Sequence, residues 1–283
     1  SIDISGLKGI TGDVGIELGK AVQSNKTDVS VQGSDANETI TANTADSAIT
    51  AIKLSGDLGG GANTVTVAPT SAATGITSID LSGLSATGGT LTSTITIAAE
   101  LTKVTTVKGS AGDDTVTFAK NTDDVTIDLG AGDDTFIGAK LAEGKSVTVT
   151  GGEGNDTFNL TASVVSNATK ADFTTITDFS TGDSITFAAS GITTYGNVGT
   201  VAGVTLKDAI DAALAVTNVA PSITTADKAE SVYGFTYNNE TYLFYNKANL
   251  STSATTSDIV VKLSGNVDLD SISLNSDTGV TIA

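Results

Sequence analysis

Three nonapeptides in the middle of the chain decide its fold: GSAGDDTVT at residues 109–117, LGAGDDTFI at 129–137 and GGEGNDTFN at 151–159. The third fits the pattern G-G-x-G-x-D-x-U-x at every position, where U is a large apolar residue. The other two each replace one glycine, by Ser110 and by Leu129. Short repeats of this kind are typical of coils that stack on one another, each contacting only its neighbours.

The spacing of the sixth position in each nonapeptide gives the size of one coil. Asp114 and Asp134 are separated by 20 residues, and Asp134 and Asp156 by 22. A second strand pattern lies between the nonapeptides, VTIDL at 125–129 and SVTVT at 146–150. One period therefore holds loop, strand, loop and strand, which predicts one coil of a flattened right-handed roll or helix. Only one of its two loops carries the glycine–aspartate motif.

The upstream part of the chain continues this pattern with longer periods. Two weaker copies, GSDANETIT at 33–41 and LGGGANTVT at 58–66, place Glu38 and Asn63 at the sixth position. Strands are predicted at 38–42, 49–54, 64–68, 76–81, 91–98 and 104–108. Period-two alternation directs these apolar side chains inward and Thr and Ser outward: Val65, Val67, Ile79, Leu81, Ile95 and Ile97. A short helix at Gly15 to Asn25 is expected to cover the first coil.

The composition changes after about residue 162, and the aromatic residues concentrate there. A helix is predicted after Thr205 as N-cap, with Asp208 three residues later. The segment from Tyr233 to Tyr245 predicts a hairpin that turns at Asn238-Asn239, and residues 258–263 predict a strand. The predicted fold class is all-β: a right-handed parallel β-helix or β-roll of stacked coils with calcium-binding glycine–aspartate loops, capped by a C-terminal mixed β domain with one short helix. The expected divisions are irregular coils at 1–108, the calcium roll at 109–165 and the cap with a secretion-signal region at 166–283.

The composition excludes several classes of function. Without Cys or His, the chain has no disulfide, no thiolate or imidazole metal ligand and no Ser-His-Asp triad. Its net charge of −18 argues against nucleic acid and against an anionic membrane surface. No apolar run approaches the ~20 residues of a membrane span. The sequence starts at Ser1 and shows neither an initiator Met nor a secretory signal. We therefore expect a fragment, a processed product or export without an N-terminal signal.

The loop chemistry indicates calcium. Only oxygen ligands are available, and Ca²⁺ takes about 6–8 of them, more than one loop supplies. Two loops on successive coils could share one ion, so Asp114 with Asp134 and Asp134 with Asp156 are the expected pairs, while Val116, Phe136 and Phe158 at the eighth position enter the core. At Glu38 and Asn63 metal-free turns are favoured. The candidate metal ligands in the repeats are Gly109, Ala111, Asp113, Asp114, Gly130, Ala131, Asp133, Asp134, Gly151, Glu153, Asn155 and Asp156.

The three nonapeptides resemble those of the repeats-in-toxin (RTX) family. The segment FTTITDFSTGDSITF at 173–187 is similar to the family's I-x-D-F-x-x-G-D-x-I closing segment, and the resemblance covers roughly Gly109 to Leu263. It implies that Asp178 and Asp183 bind the last ion, that the C-terminus carries a signal for type I secretion, and that folding follows on meeting extracellular calcium. Rich in Thr, Ser, Ala and Gly, the chain is most similar to the family's surface-layer (S-layer) members. That likeness implies a secreted protein of the bacterial cell surface that associates with itself into a lattice. It also implies that a region upstream of this chain binds cell-surface polysaccharide.

Four functions follow as hypotheses. The first is a calcium-built S-layer subunit, and the second is the C-terminal folding and export module of a larger adhesin or hydrolase. A third, ice binding, is suggested by Thr-x-Thr pairs such as Thr64/Thr66, but the unequal periods argue against an array in register. An enzyme is not expected, because the paired carboxylates lie in the calcium loops; the Tyr cluster at 233–245 fits cap core better than a sugar site.

Overall fold

A computed structural model describes most of the chain, and the statements below refer to these residues: 2–3, 14–18, 28–34, 36–45, 47–119, 123–163, 173–216, 230–247, 258–265, 267–276 and 278–282. The chain divides into two compact units. Unit 1 comprises residues 1–137 and 151–154, and unit 2 comprises residues 138–150 and 155–283.

Unit 1 consists of strands that alternate between two sheets along the chain. One sheet has the order β1-β3-β5-β7-β9-β11 and the other β2-β4-β6-β8-β10-β12, and every pairing between these neighbours is parallel. Two successive strands thus make one coil. The strands are β1 (Ile2–Asp3), β2 (Val14–Leu18), β3 (Asp28–Gln32), β4 (Glu38–Ala42), β5 (Ala51–Asp57), β6 (Gly61–Val67), β7 (Ser78–Ser85), β8 (Gly89–Ile97), β9 (Thr106–Lys108), β10 (Asp113–Phe118), β11 (Val125–Ala131) and β12 (Thr135–Ile137).

Unit 2 begins with the same parallel pattern and ends with antiparallel strands. Its elements are β13 (Val147–Glu153, of which 147–150 belong to this unit), β14 (Thr157–Asn159), β15 (Thr174–Ile176), β16 (Ser184–Thr186), β17 (Thr194–Thr200), α1 (Leu206–Ala215), β18 (Ser231–Tyr237), β19 (Glu240–Asn246), β20 (Ile259–Leu263), a 3-10 helix (Leu269–Ser271), β21 (Ile272–Asn275) and β22 (Gly279–Ile282). β13, β15 and β20 pair in parallel, and β19 and β18 follow β20 antiparallel. In the second sheet β16 pairs with β14 in parallel and with β22 antiparallel.

These observations confirm the all-β class with mostly parallel sheets. The handedness of the coils, their calcium and the division at residues 108 and 165 stay predictions. The predicted strands recur within a few residues of their expected bounds. One expectation was wrong: Gly15 to Leu18 belong to strand β2, paired in parallel with β4, and not to a helix. The rest of that predicted helix, residues 19–25, lies outside the described residues.

The core follows the predicted alternation. The six apolar side chains directed inward by the sequence pattern are at most 1% exposed, and so are Val116, Phe136 and Phe158 of the nonapeptides. Stacked parallel strands bring side chains of successive coils into direct contact, about 4.8 Å apart. Each coil therefore shares a continuous apolar column with the next.

The cap elements also match their sequence signals. Thr205 caps α1 in a reciprocal capping box with Asp208, as the sequence predicts. β18 and β19 form the predicted hairpin, with Asn238 and Asn239 at positive φ in the turn. The buried face of α1 packs on rings of this hairpin, including Phe235 and Phe244. Within the described ranges no helix is long and apolar enough to cross a membrane.

Glycine at the second position of the nonapeptide is required where loops stack most closely. Gly130 and Gly152 have φ of +115° and +109°. A Cβ added at Gly152 would lie 1.8 Å from the Gly130 carbonyl oxygen, and one at Gly130 would lie 2.2 Å from that of Ser110. The carbonyl of each loop therefore occupies the space that a side chain on the next loop would need.

We expect Gly152→Ala to lower the free energy of unfolding by more than about 2 kcal/mol, because it adds a clash with the Gly130 carbonyl to the cost of positive φ. Gly88→Ala is the matched control: Gly88 has φ of +84° but nothing within 4 Å of an added Cβ. It should cost only about 1 kcal/mol. Urea unfolding of both variants measures the difference, and equal losses would contradict close stacking of the loops.

Candidate metal-binding loops

The fifth and sixth positions of the loops point in opposite directions. The sixth-position side chains of all five copies are 0–1% exposed: Glu38, Asn63, Asp114, Asp134 and Asp156. The fifth-position residues Asn37, Asp113, Asp133 and Asn155 are exposed. The two positions follow the in-and-out alternation of an extended strand, with one side chain inside and one outside, whether the strand begins before them, as in β6, or just after them, as in β12.

The inner side chain accepts a main-chain hydrogen bond from the preceding coil. The Asp114 N–H donates to Oδ1 of Asp134 at 2.7 Å. In the same way the Glu38 N–H donates to Oδ1 of Asn63 at 3.0 Å. In unit 2 the Asp156 N–H donates to Oδ1 of Asp183 at 2.9 Å. A side-chain oxygen thus replaces the carbonyl that a parallel strand would present to each N–H.

The outer side chain accepts a bond in the opposite direction. The Asp133 N–H donates to Oδ1 of Asp113 at 2.9 Å, and the Ala62 N–H donates to Oδ1 of Asn37 at 2.8 Å. Two bonds of opposite direction therefore join each of these pairs of loops. Adjacent acidic or amide residues at the fifth and sixth positions have a structural purpose that needs no metal, and Asn serves it as well as Asp.

Serine at or near the second position holds the buried acid within its own loop. Oδ2 of Asp114 accepts from the Ser110 N–H at 2.5 Å, and Oδ1 accepts from the Ser110 hydroxyl at 3.1 Å and from the hydroxyl of Ser93 on the preceding coil. The Ser34 N–H donates to Oε1 of Glu38 at 3.0 Å.

The same arrangement recurs in unit 2, where the Ser180 N–H donates to Oδ2 of Asp183 at 2.8 Å. Sequence reasoning treated Ser110 only as a missing glycine. The available signal was a serine three or four residues before each of these acids.

The structure brings part of the predicted ligand set together. Each of the residues from the first two nonapeptides lies in one of two stacked loops of unit 1: Gly109, Ala111, Asp113, Asp114, Gly130, Ala131, Asp133 and Asp134. Gly151 and Glu153 belong to the same unit, where the Glu153 carbonyl accepts from the Gly132 N–H at 2.8 Å.

Unit 2 holds Asn155, Asp156, Asp178 and Asp183, and Oδ1 of Asp183 accepts the bond from the Asp156 N–H. Binding of the last ion by Asp178 and Asp183 stays a prediction. Asp134 and Asp156 belong to different compact units, so their shared ion stays a prediction.

Burial makes a negative charge on these carboxylates costly. It raises the pKa of Asp114 from its usual value near 3.8 to about 7, against the opposing effect of the Ser110 hydrogen bonds, and the charge of Asp113 adds to the rise. Burial also raises the pKa of Asp183, and the nearby charge of Asp178 contributes. Binding a cation would remove this cost.

The donors fit calcium in kind, because they are carboxylate and carbonyl oxygens. Outside the predicted ligand set, buried Oε2 of Glu38 has no hydrogen-bond partner among the described residues. No group of three or more acidic side chains converges within the described part of the chain. An ion held here would therefore draw several of its ligands from main-chain carbonyls.

No protein-family model matches the chain, and no curated protein matches it. Conclusions about its function therefore rest on its own residues and geometry.

Two variants of Asp134 separate the hydrogen bond from the charge. In chelator, Asp134→Asn keeps an acceptor for the Asp114 N–H, so its free energy of unfolding should lie within about 0.5 kcal/mol of wild type. Asp134→Ala has no acceptor there, and its free energy of unfolding should be lower by about 1–3 kcal/mol. Added calcium should stabilise wild type more than Asp134→Asn. Urea unfolding with and without calcium measures both effects. If Asp134→Asn in chelator were as unstable as Asp134→Ala, the hydrogen bond from the Asp114 N–H to residue 134 would not stabilise the fold.

The raised pKa of Asp114 predicts a pH dependence in chelator. Because the folded protein holds this proton more tightly than the unfolded chain, stability should be greatest in acid and should fall as the pH rises from about 4 to about 7. Asp114→Asn should flatten that part of the curve. Denaturant midpoints between pH 4 and pH 8 check this, and a wild-type curve that rises over that range would contradict it.

Proposed function

We propose that this chain is a structural, calcium-binding protein of the bacterial cell surface, an S-layer subunit that assembles into a calcium-dependent lattice. The observation that carries the proposal is the register of the loops: acidic side chains of successive coils stand directly over one another and are tied to each other's main chain. Such stacked coils form a scaffold with repeated outer faces, which suits a structural role.

Calcium would act by neutralising the buried acids. In unit 1 we assign Asp114 and Asp134, with carbonyls of their loops, to one ion. In unit 2 we assign Asp156 and Asp183, with Asp178 beside them. The ion supplies charge compensation and additional bonds between loops, so its binding energy adds to folding energy.

The net charge of −18 supports an extracellular place of folding. Where calcium is scarce, repulsion between the acidic loops lowers the stability of the fold, and where calcium is plentiful its binding stabilises the fold. This agrees with secretion by a type I route, with attachment to surface polysaccharide through an upstream region, and with no role in binding nucleic acid. We propose no catalytic role, since the buried carboxylates already accept main-chain hydrogen bonds.

A second candidate is the C-terminal folding and export module of a larger secreted adhesin or hydrolase. The end of unit 2 favours it. There the parallel ladder gives way to antiparallel strands β22 and β19, and α1 covers an aromatic cluster that includes Tyr233 and Tyr242. A closed end of this kind suits the last module of a longer chain.

A calcium titration of the chelated chain, followed by circular dichroism and light scattering, tests the proposal. We expect β structure to increase, and large ordered particles to follow. If β structure increases but the chain stays monomeric, the lattice is wrong and the export module is favoured. If neither signal changes, the calcium assignment is wrong.

A matched pair of double variants sharpens this titration. Asp114→Asn/Asp134→Asn should shift the calcium midpoint to at least tenfold higher concentration. Asp80→Asn/Asp128→Asn makes the same charge change on the outer strands β7 and β11 and should leave the midpoint within about twofold. Equal shifts would indicate a general charge effect and would contradict ion binding in the loops.

A further inference from the structure

Outward-facing threonines of unit 1 form columns in register across its second sheet. Thr41 pairs with Thr66, Thr66 with Thr94, Thr94 with Thr115 and Thr115 with Thr135, each on the adjacent parallel strand. The unequal coil lengths argue against such an array in the sequence. In the structure the loops differ in length, whereas the strands that carry the threonines stay in register. A parallel column of Thr39, Thr64 and Thr92 lies on one side, and Thr96 with Thr117 lies on the other.

These threonines reach solvent to different degrees. Thr94 is exposed and the other four threonines of the central column are half-buried, whereas all flanking threonines except Thr117 are exposed. In the central column none of the five hydroxyl groups bonds to another described residue; in the flanking columns Thr92 makes one weak contact, to the Asn63 carbonyl at 3.4 Å. We call this two-dimensional array of hydroxyl and methyl groups the threonine face.

The outer face of the other sheet is different. There the aligned positions are Lys53, Asp80, Lys108 and Asp128, which alternate in charge from strand to strand. Lys53 and Asp80 form an ion pair at 3.8 Å. One outer face of unit 1 is therefore a charged ladder, whereas the interior of the threonine face is uncharged. Acidic residues stand at its margins: Asp113 and Asp133 on the loop side, and Glu17 on β2, which pairs with Thr41.

The size and composition of the threonine face argue against a protein partner. Five strands about 4.8 Å apart and three columns about 6.6 Å apart cover roughly 250 Å². A stable protein interface needs about 800 Å² on each partner and large anchoring side chains such as Tyr, Trp or Arg, which the array lacks. What the face offers is repetition at a fixed spacing.

We propose that the threonine face binds ice. Its hydroxyl groups repeat at about 4.8 Å between strands and about 6.6 Å along them, so neighbouring hydroxyls can bond to successive water molecules of an ordered ice surface. Each methyl group excludes bulk water and orders the molecules around it. An uncharged face avoids the strong hydration that charged side chains would impose. The assignment depends on strand register alone and is independent of calcium in the loops and of a surface lattice.

Binding to a growing ice surface tests this proposal with the full chain in millimolar calcium. The probe is ice itself, and the measurements are the fraction of protein taken into a slowly grown ice hemisphere and the thermal hysteresis of the solution. Thr94→Tyr places a large ring at the centre of the threonine face. Thr126→Tyr places the same ring on the exposed outer face of β11 and serves as the control. Circular dichroism and the melting temperature verify that both variants fold.

Wild type and Thr126→Tyr should enter the ice and show thermal hysteresis. For Thr94→Tyr, the fraction of protein in the ice and the hysteresis should each be at least tenfold lower. The proposal is overturned if wild type is excluded from ice to the same extent as Thr94→Tyr. It is equally overturned if both variants lose activity together, because the effect would then not belong to this face. Ice binding without calcium-dependent particles would leave the threonine face established and the S-layer function refuted.

Discussion

The stacking of coils in unit 1 depends on one constraint, the satisfaction of main-chain N–H groups where each loop becomes a strand. At this point a side-chain oxygen takes the N–H, and where the N–H is buried, as at Asp114, the lack of a partner would cost about 1–3 kcal/mol. The side chains of the fifth and sixth positions provide the missing acceptors, one toward the next coil and one toward the preceding coil. Where both bonds are present, between 37–38 and 62–63 and between 113–114 and 133–134, they join the loops in the same register as the strands that follow.

The same residues create the molecule's main electrostatic cost. An acid such as Asp114 must be buried to accept from its own loop, and burial disfavours its charge. Asn63 shows that an amide meets the hydrogen-bonding requirement without the cost. The use of aspartate at Asp114, Asp134 and Asp156 therefore invites a further explanation, and a bound cation provides one.

Much of this architecture could be predicted from the sequence. The nonapeptides gave the coil, alternation gave inward residues such as Val65 and Ile95, and the capping signal at Thr205 gave the helix. Gly15 to Leu18 were mistaken for helix because a five-residue strand has too few residues to show its period against its neighbours.

The details of the candidate site could not be predicted, for physical reasons. The direction of each bond between loops depends on which N–H faces which coil, and spacing alone does not contain that information. Ser93 stabilises Asp114 from 21 residues away, across a coil boundary, and a motif confined to one loop cannot reveal it. The threonine register was hidden for a related reason: coil length varies in the loops, whereas register is decided by the strands.

That separation of loop length from strand register has a consequence for how such a chain can change. Successive threonines of the central column are separated by 20 to 28 residues, yet the strands remain aligned. An extra length of one loop is therefore not transmitted to the next coil, since parallel pairing of the strands restores the alignment in each sheet. We therefore expect each coil of unit 1 to accept foreign segments in its loops while the outer faces keep their pattern of aligned residues.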